Sequence, residues 1–449
     1  MGPDGRGRVG LAEDDLNLAS GTKPYQALKH RDFRRFALSM LMSLVGSQMQ
    51  NVAIDWHVWV LTRSPLALGF VGLVRVVPIV VLSLVGGLVA DRRDRRRVLI
   101  VTQSAMTLVA LALGAMTLLG RDTVWVIYLL TACTSAAGAF DNPSRQSLVP
   151  RLVPEKDLPG ALSILLSGFQ LASIGGPALT GLILAGTAMS STPGTSSLRG
   201  HTSGLALIYF LNAASFLGVL ATLFTLKASG EVARPGGAET NPLASLREGL
   251  RFVFTTPILV WTMTLDFFAT FFAGSMSLLP IFADQILKAG PAGYGWLRAA
   301  PGIGALLGSV WTSVHGLPRR QGSVFLWAVA AYGATTIVFG LSRSFWLTFG
   351  ALALVGLSDT ISTVVRQTVR QLVTPDGLRG RMTGVNMIFF MGGPQLGELE
   401  AGFVASLFAS AALGASVAVV SGGVGTLLVA FFIGERARVV RDYDWTAGG

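Results

Sequence analysis

Apolar runs long enough to cross a bilayer recur about twelve times along this chain, and no other feature limits its fold so severely. A spanning helix needs about 20 mostly apolar residues, because inside hydrocarbon each backbone amide must find its partner within its own segment. Such runs lie near 34–60, 66–90, 98–119, 124–148, 159–187, 204–226, 257–283, 292–315, 322–341, 345–368, 382–408 and 411–433. The expected fold is an all-α membrane protein of twelve transmembrane helices. Only 13% of the 449 residues are charged, against about 25% in an average soluble domain. That excludes a disordered chain and argues against a soluble enzyme.

The longest polar interruption runs from Lys227 to Thr256, with 233–239 as its flexible part and 243–254 as a short amphipathic helix. It divides the chain into a six-helix bundle over 33–226, a linker over 227–256 and a second bundle over 257–433. A polar arm, 1–32, precedes them and a tail, 434–449, follows. The arm carries Asp4, Glu13, Asp14, Asp15 and Asp32, unlike the basic start of a cleaved signal peptide. It is expected to be disordered or to lie on the cytoplasmic surface.

The net charge of +11 sits in short loops rather than on a groove-reading face, so nucleic acid is not an expected partner. Those loops also orient the chain. With the N-terminus inside, 28 of the 35 basic residues fall in cytoplasmic segments, among them Arg92, Arg93, Arg95, Arg96 and Arg97. The opposite side holds Arg63, Arg121, Arg199, Lys288 and Arg343, while Arg75 and Arg298 lie within runs. Cytoplasmic loops retain Lys and Arg in excess, so both termini are expected in the cytoplasm.

The two halves repeat each other. Gly72-Leu-Val-Arg75-Val-Val-Pro78 in the second run answers Gly295-Trp-Leu-Arg298-Ala-Ala-Pro301 in the eighth. Arg145-Gln146 with Pro154 answers Arg366-Gln367 with Pro375, and Gly175-Gly176-Pro177 answers Gly392-Gly393-Pro394. Ordered matches in corresponding segments are the mark of transporters built from internal repeats around a site at their interface.

The strongest local motif is Gly87-Leu-Val-Ala-Asp91-Arg92-Arg-Asp-Arg95-Arg96-Arg-Val-Leu99, between runs two and three. It resembles the loop motif of the major facilitator superfamily, with Asp94 where that family usually has glycine. An aspartate at a helix end accepts hydrogen bonds from exposed amides at a neighbouring helix N-terminus, where the dipole favours an anion. The resemblance implies that Asp91 meets the start of run eleven near 381–383 and holds the cytoplasmic face closed in the outward-open state. Arg92, Arg95 and Arg96 are expected to add ion pairs, with Asp141 or Asp359 as partners, and Arg145 and Arg366 complete this gate. Small residues and a proline at Gly175, Gly176, Pro177 and Gly181 partly resemble the glycine-rich motif of exporters in that superfamily. They suit a pivot, mirrored by Gly392, Gly393 and Pro394.

Ionisable residues inside spans are costly and usually face a cavity. The candidates are Asp55, Arg75, Asp266, Arg298, Glu398 and Glu400. Gln48, Asn51, Asp55 and Trp59 share one face of run one, and Thr262, Asp266 and Thr270 share one face of run seven. Glu398 and Glu400 lie about 200° apart on an ideal helix, so Glu398 is favoured for the cavity. A buried carboxylate that trades charge between states is a natural proton carrier. The competing reading makes Arg75–Glu398 and Arg298–Asp266 permanent structural ion pairs.

His57 reads as a packing residue. Trp59, Trp125, Trp296 and Trp346 near outer ends, and Trp261 and Trp311 near inner ones, read as an interfacial belt. Cys133 stands alone and the four histidines are scattered, so no metal site is expected. No Walker loop or nucleophile–base constellation is present, which leaves no enzyme activity and no cofactor to expect, and a proton gradient as the energy source.

Further resemblance comes from Leu28-Lys-His-Arg-Asp-Phe-Arg-Arg-Phe36, Ser64-Pro-Leu-Ala-Leu-Gly69 and Asp141-Asn-Pro-Ser-Arg-Gln-Ser-Leu-Val-Pro150. These are similar to the enterobactin exporter, or transmembrane secretion effector, branch of the superfamily, with Asp55 where that branch is expected to carry proline. The resemblance implies an exporter of a siderophore or similar small molecule in a bacterial inner membrane; exchange for protons, membrane lipids as partners and a monomeric state are the accompanying expectations. A multidrug antiporter and a lipid flippase remain the alternatives.

Overall fold

A computed structural model describes residues 24–189, 197–226, 242–316, 320–375 and 378–443, with the side chains of 83–92, 197–201, 242–247, 249, 379–381, 383–385, 387 and 388 outside the description. Twelve long helices, labelled α1–α12, carry the described chain, and no strand occurs among the described residues. The first six are α1 (Arg31–Thr62), α2 (Pro65–Arg92), α3 (Arg95–Leu118), α4 (Val124–Leu148), α5 (Leu158–Met189) and α6 (Ser197–Thr225). The second six are α7 (Pro257–Phe272), α8 (Gly290–His315), α9 (Gln321–Leu341), α10 (Phe345–Val373), α11 (Arg379–Ser406) and α12 (Ala411–Arg436). An amphipathic helix, Pro242–Thr255, lies between the sets.

Nine helices among the described residues are long and apolar enough to cross a membrane. The other three long helices are α1, α8 and α11, which carry Asp55, Arg298 and Glu398. Charge in the middle of a segment lowers its mean hydropathy, so the least lipid-like helices are those with polar work to do.

Local chemistry explains the main helix boundaries. Asp94, where glycine is usual in the resembled loop, caps α3 by accepting from the backbone amides of Arg96 and Arg97 at 2.8 and 3.3 Å. Its carboxylate satisfies donors that the first helical turn leaves unpaired. α1 ends at Arg63 in the left-handed region, φ 51°.

The seventh apolar run, predicted as one helix over 257–283, is broken. α7 stops at Phe272, and the chain resumes as a short 3-10 turn, Met276–Leu278, a helical turn, Leu279–Ile281, and a π turn, Phe282–Ile286. The break falls where α11 comes closest: a Cβ added to Gly274 would lie 2.9 Å from the Cα of Gly397 and 2.9 Å from the carbonyl oxygen of Pro394.

The halves meet through two matched crossings, α2 on α11 and α5 on α8. Both are glycine on glycine. A Cβ on Gly402 would lie 2.7 Å from Gly69 Cα, and one on Gly295 would lie 2.6 Å from Gly181 Cα. Small residues let backbones approach until dispersion contacts and weak polar contacts hold helices together in lipid.

The crossings sit at the end of the molecule near Thr62 and Gly290, where one apolar core runs through both halves and includes Ile54, Trp59, Leu68, Phe282, Tyr294 and Leu297. At the opposite end the described apolar residues form two separate cores. One lies around Phe33, Phe36 and Leu148, the other around Leu259, Phe325 and Val365. Among the described residues, one core is thus shared by the halves at one end, the seal, and two separate cores stand at the other.

Candidate functional site

A polar cavity of about 290 Å³ lies between the halves below the seal. Its walls are Ser47, Gln50 and Asn51 of α1, Arg75 of α2, Thr131, Thr134 and Ser135 of α4, and Asn212 of α6, with Met391 and Gln395 of α11 facing them. The lining follows from helical spacing: Ser47, Gln50, Asn51 and Ile54 fall on one face of α1. Within the wall, the Asn212 amide donates to Gln50 Oε1 at 2.8 Å.

Four charged residues gather at the roof. Arg75 Nη2 donates to Asp55 Oδ1 at 2.9 Å and to the Asn51 carbonyl at 3.0 Å. Arg298 Nη2 reaches across from α8 to within 3.6 Å of Asp55 Oδ2. Glu398, buried on α11, lies within electrostatic reach of Arg75, Arg298 and Asp55. Gly72 makes room for it, since a Cβ there would lie 3.0 Å from Glu398 Oε2. Two arginines and two acids balance formally, so a proton added to either buried acid leaves the group with net positive charge.

The bonds joining the halves at the sealed end include Arg298 to Asp55 and Tyr294 OH to the Val52 carbonyl at 3.2 Å. Trp56 stacks on Tyr294 at 5.2 Å between ring centres. Asp284, on the π turn, accepts from Trp59 Nε1 at 3.0 Å and from Arg63. Sequence reasoning passed over Arg63 and Asp284. The available signal was a lone arginine and a lone acid at matching ends of runs one and seven.

Several expectations are corrected. Asp266 lies outside the roof and does not pair with Arg298; it binds Arg366 of α10, which also stands 3.9 Å from Asp359. Nor does Arg75 form an ion pair with Glu398, because it is held by Asp55. Gln48 does not line the cavity: a Cβ on Gly176 would lie 2.5 Å from its Cβ, which places Gln48 in the α1–α5 contact. Trp59 is fully buried rather than part of the belt. Trp125 and Trp346 are exposed, as that belt requires.

The gate residues find other partners as well. Asp141 is buried and accepts from Thr102 and Gln103 of α3 at 2.9 and 2.8 Å and from Arg145 on its own helix. Arg95 and Arg96 therefore pair with neither Asp141 nor Asp359. They donate to the carbonyls of Ser147 and Phe224, each at 3.1 Å, because the ends of α4 and α6 present unpaired carbonyls there. The side chains of Asp91 and Arg92, the surroundings of Gly87 and the side chains of 379–381 and 383–385 in the first turns of α11 lie outside the description.

The glycine–proline repeats also acquire places. Gly175 faces open space, Gly176 packs on α1, and Gly181 meets α8 across the interface. Gly393 packs on α7 against Thr270, Gly392 faces Phe267 more loosely, and Pro177 and Pro394 stand inside their helices. In both halves the motif thus packs the fifth helix on the first.

The sequence profile of a family described as transmembrane secretion effectors matches residues 22–444. The enterobactin exporter EntS of Escherichia coli O1:K1 is 26% identical over 356 residues, covering 79% of this chain and 81% of its own. A solved bacterial homologue of the human lysosomal transporter Spinster, inward-facing and unoccupied, superposes with TM-score 0.73 at 15% identity over 95% of this chain and 100% of that one. A bacterial homologue of the iron transporter ferroportin, in its inward-facing state, gives TM-score 0.62 at 17% identity over 89% and 98%.

Proposed function

The chain belongs to the transmembrane secretion effector family, and from that premise we propose that it exports a siderophore or a similar small organic metabolite in exchange for protons. It works as a monomer in a bacterial inner membrane, with twelve spans, both termini cytoplasmic, and no cofactor. The observation that carries this reading is the contrast between the ends among the described residues: one shared core at the seal, two separate cores at the other end, and a charged roof between them. A carrier that alternates access needs that asymmetry together with a charge that changes value between its states.

In this reading the molecule is inward-facing, with the cavity open to the cytoplasm. Substrate enters beneath Asn51, Arg75 and Gln395. Protonation of Asp55 frees both arginines, weakens the Arg298–Asp55 tie across the interface and favours opening at the outer end, while Glu398, within electrostatic reach of both arginines, shifts that balance when it gains a proton. Asp91, with Arg92 and the gate around Arg145 and Arg366, holds the cytoplasmic end closed in the outward-open state. Asp91→Asn is then expected to slow turnover with modest loss of binding; unchanged transport rates would remove that role.

The test is substrate-dependent collapse of a pH gradient in proteoliposomes, with catecholate siderophores and lipophilic cations in parallel. Collapse with catecholates supports the proposal. Collapse with cations alone assigns a multidrug antiporter.

A second reading, lipid flipping, has one observation in its favour. An apolar groove of about 690 Å³ between α2 and α4, lined by Phe70, Leu73, Val77 and Trp125, faces sideways out of the bundle. Scrambling of fluorescent lipids without a pH response would select it.

A further inference from the structure

The sealed end of the N-terminal half holds a hydrogen-bonded chain of ionisable groups. Asp122 lies in the loop between α3 and α4, with its side chain 16% exposed. His57 of α1 is 2% exposed and Tyr209 of α6 is fully buried. His57 Nε2 stands 2.8 Å from Asp122 Oδ2, and His57 Nδ1 stands 3.0 Å from the Tyr209 hydroxyl.

Three groups therefore lead inward from a partly exposed carboxylate. Beyond Tyr209, the charges that act on it are Asp55, two residues before His57 on the same helix, and Arg75 of α2. Asp55 Oδ2 is buried without a hydrogen-bond partner. The hydrogen bond from His57 holds the Asp122 carboxyl below its ordinary value, against the opposing pull of burial. Asp122 is thus ionised near neutral pH and accepts from Nε2–H.

We propose that Asp122, His57 and Tyr209 form the proton access path from the sealed face to the Asp55–Arg75 pair, letting a proton arrive while the substrate route stays shut. The inference rests on the proton-coupled reading and on cytoplasmic termini, which place Asp122 on the outer face. An apolar seal excludes water, so a proton crosses it along fixed donors and acceptors.

With the imidazole protonated, Nε2–H donates to Asp122 and Nδ1–H to the Tyr209 oxygen. Tyr209 and Asp55 share no direct hydrogen bond, so the Nδ1 proton passes to the Tyr209 oxygen as the hydroxyl proton of Tyr209 passes to a bridging water, which gives a proton to Asp55, leaving neutral imidazole, an intact phenol and a protonated Asp55. Reorientation of the whole ring, by combined rotation about Cα–Cβ and Cβ–Cγ, then brings the bare Nδ1 to Asp122, where the next external proton is taken up. Each cycle carries one proton inward and returns the three residues to their starting composition. His57 and Tyr209 relay the proton, and Asp122 is a positioning residue that stabilises the charged imidazole.

The test needs no substrate. Vesicles carrying the protein in a single orientation, termini inward and interior clamped at neutral pH, receive an external acid jump while infrared absorption follows buried carboxyl protonation. Asp55→Asn identifies the band. In His57→Gln and Tyr209→Phe the external response is expected to slow on the order of tenfold or more, while protonation from an acidified interior, through the cavity, keeps its wild-type rate.

Asp122→Asn is expected to need a more acidic exterior for the same rate. Wild-type external rates in both His57→Gln and Tyr209→Phe overturn the path. So does equal slowing from both sides, or a wild type that responds only from within. Thermal unfolding identifies a variant that fails to fold, and the other then decides. The proton-coupled reading fails separately, if substrate moves no protons in a wild type that still conducts them to Asp55.

Discussion

Asp55 and Asp266 stand on corresponding helices, the first of each half, and each is buried against an arginine, yet the arginines come from different places. Asp55 binds Arg75 of its own half and faces Arg298 of the other. Asp266 binds Arg366 of its own half, beside Asp359. One acid ties two rigid bodies together and the other braces one of them. Similar chemistry therefore crosses between the halves in one case and stays within one bundle in the other, and under the proposed alternating access only the first bond has to break.

The largest effect is expected from Asp55→Asn set against Asp266→Asn. Each leaves a buried arginine without its carboxylate, which costs about 3–5 kcal/mol, and both should lower the thermal midpoint. Gradient-driven transport should collapse in Asp55→Asn. In Asp266→Asn the number of protons moved per substrate should stay at the wild-type value, and the reverse outcome would invert the comparison.

Next in size, Glu398→Gln should abolish proton-driven transport while substrate-for-substrate exchange continues. Persistence of coupling in that variant would move the proton to Asp55. Gly295→Val acts on the seal instead of the charges. Its side chain would press on Gly181, overpacking typically costs about 1–3 kcal/mol, and the population should shift roughly tenfold or more toward the state open at that end. Spin labels at positions 119 and 346, in a Cys133→Ala background, would show the longer distance; an unchanged distribution would mean the crossing does not control access.

The smallest effect belongs to Asp284→Asn. Its ion-pair partner Arg63 is half-exposed and such pairs are worth about 0–1 kcal/mol. Opening at the sealed end should speed by no more than a few-fold, and a change as large as that of Asp55→Asn would make Asp284 the main latch.

Much of the architecture was legible in the sequence because lipid imposes one rule on every span, and long apolar runs announce it. The internal repeat was legible for a similar reason, since Arg75 and Arg298 stand in matching local strings. The site was legible only in part. Asp55, Arg75, Arg298 and Glu398 could each be suspected from burial in a run, but which acid met which arginine depends on helix rotation and crossing. Asp266 went to Arg366, a residue assigned to the gate, because α7 and α10 present those positions to each other inside one bundle. Gln48 shared the helical face of Asn51 and Asp55, yet α5 covers it at Gly176. The break after Phe272 was hidden in an unbroken apolar run, since close approach of α11 at Gly397 leaves no mark on the hydropathy of residues 273–275.

The sequence by itself determined a helical membrane transporter with an internal repeat, because length, hydropathy and motif are properties of segments and survive without knowing their neighbours. Tertiary structure alone decided that Asp55 joins the halves while Asp266 braces one, that two glycine crossings seal one end, and that His57 lies between Asp122 and Tyr209. These are contacts between residues 20 to 333 positions apart in the chain. Their energies depend on distance and burial, which exist only once the helices have packed.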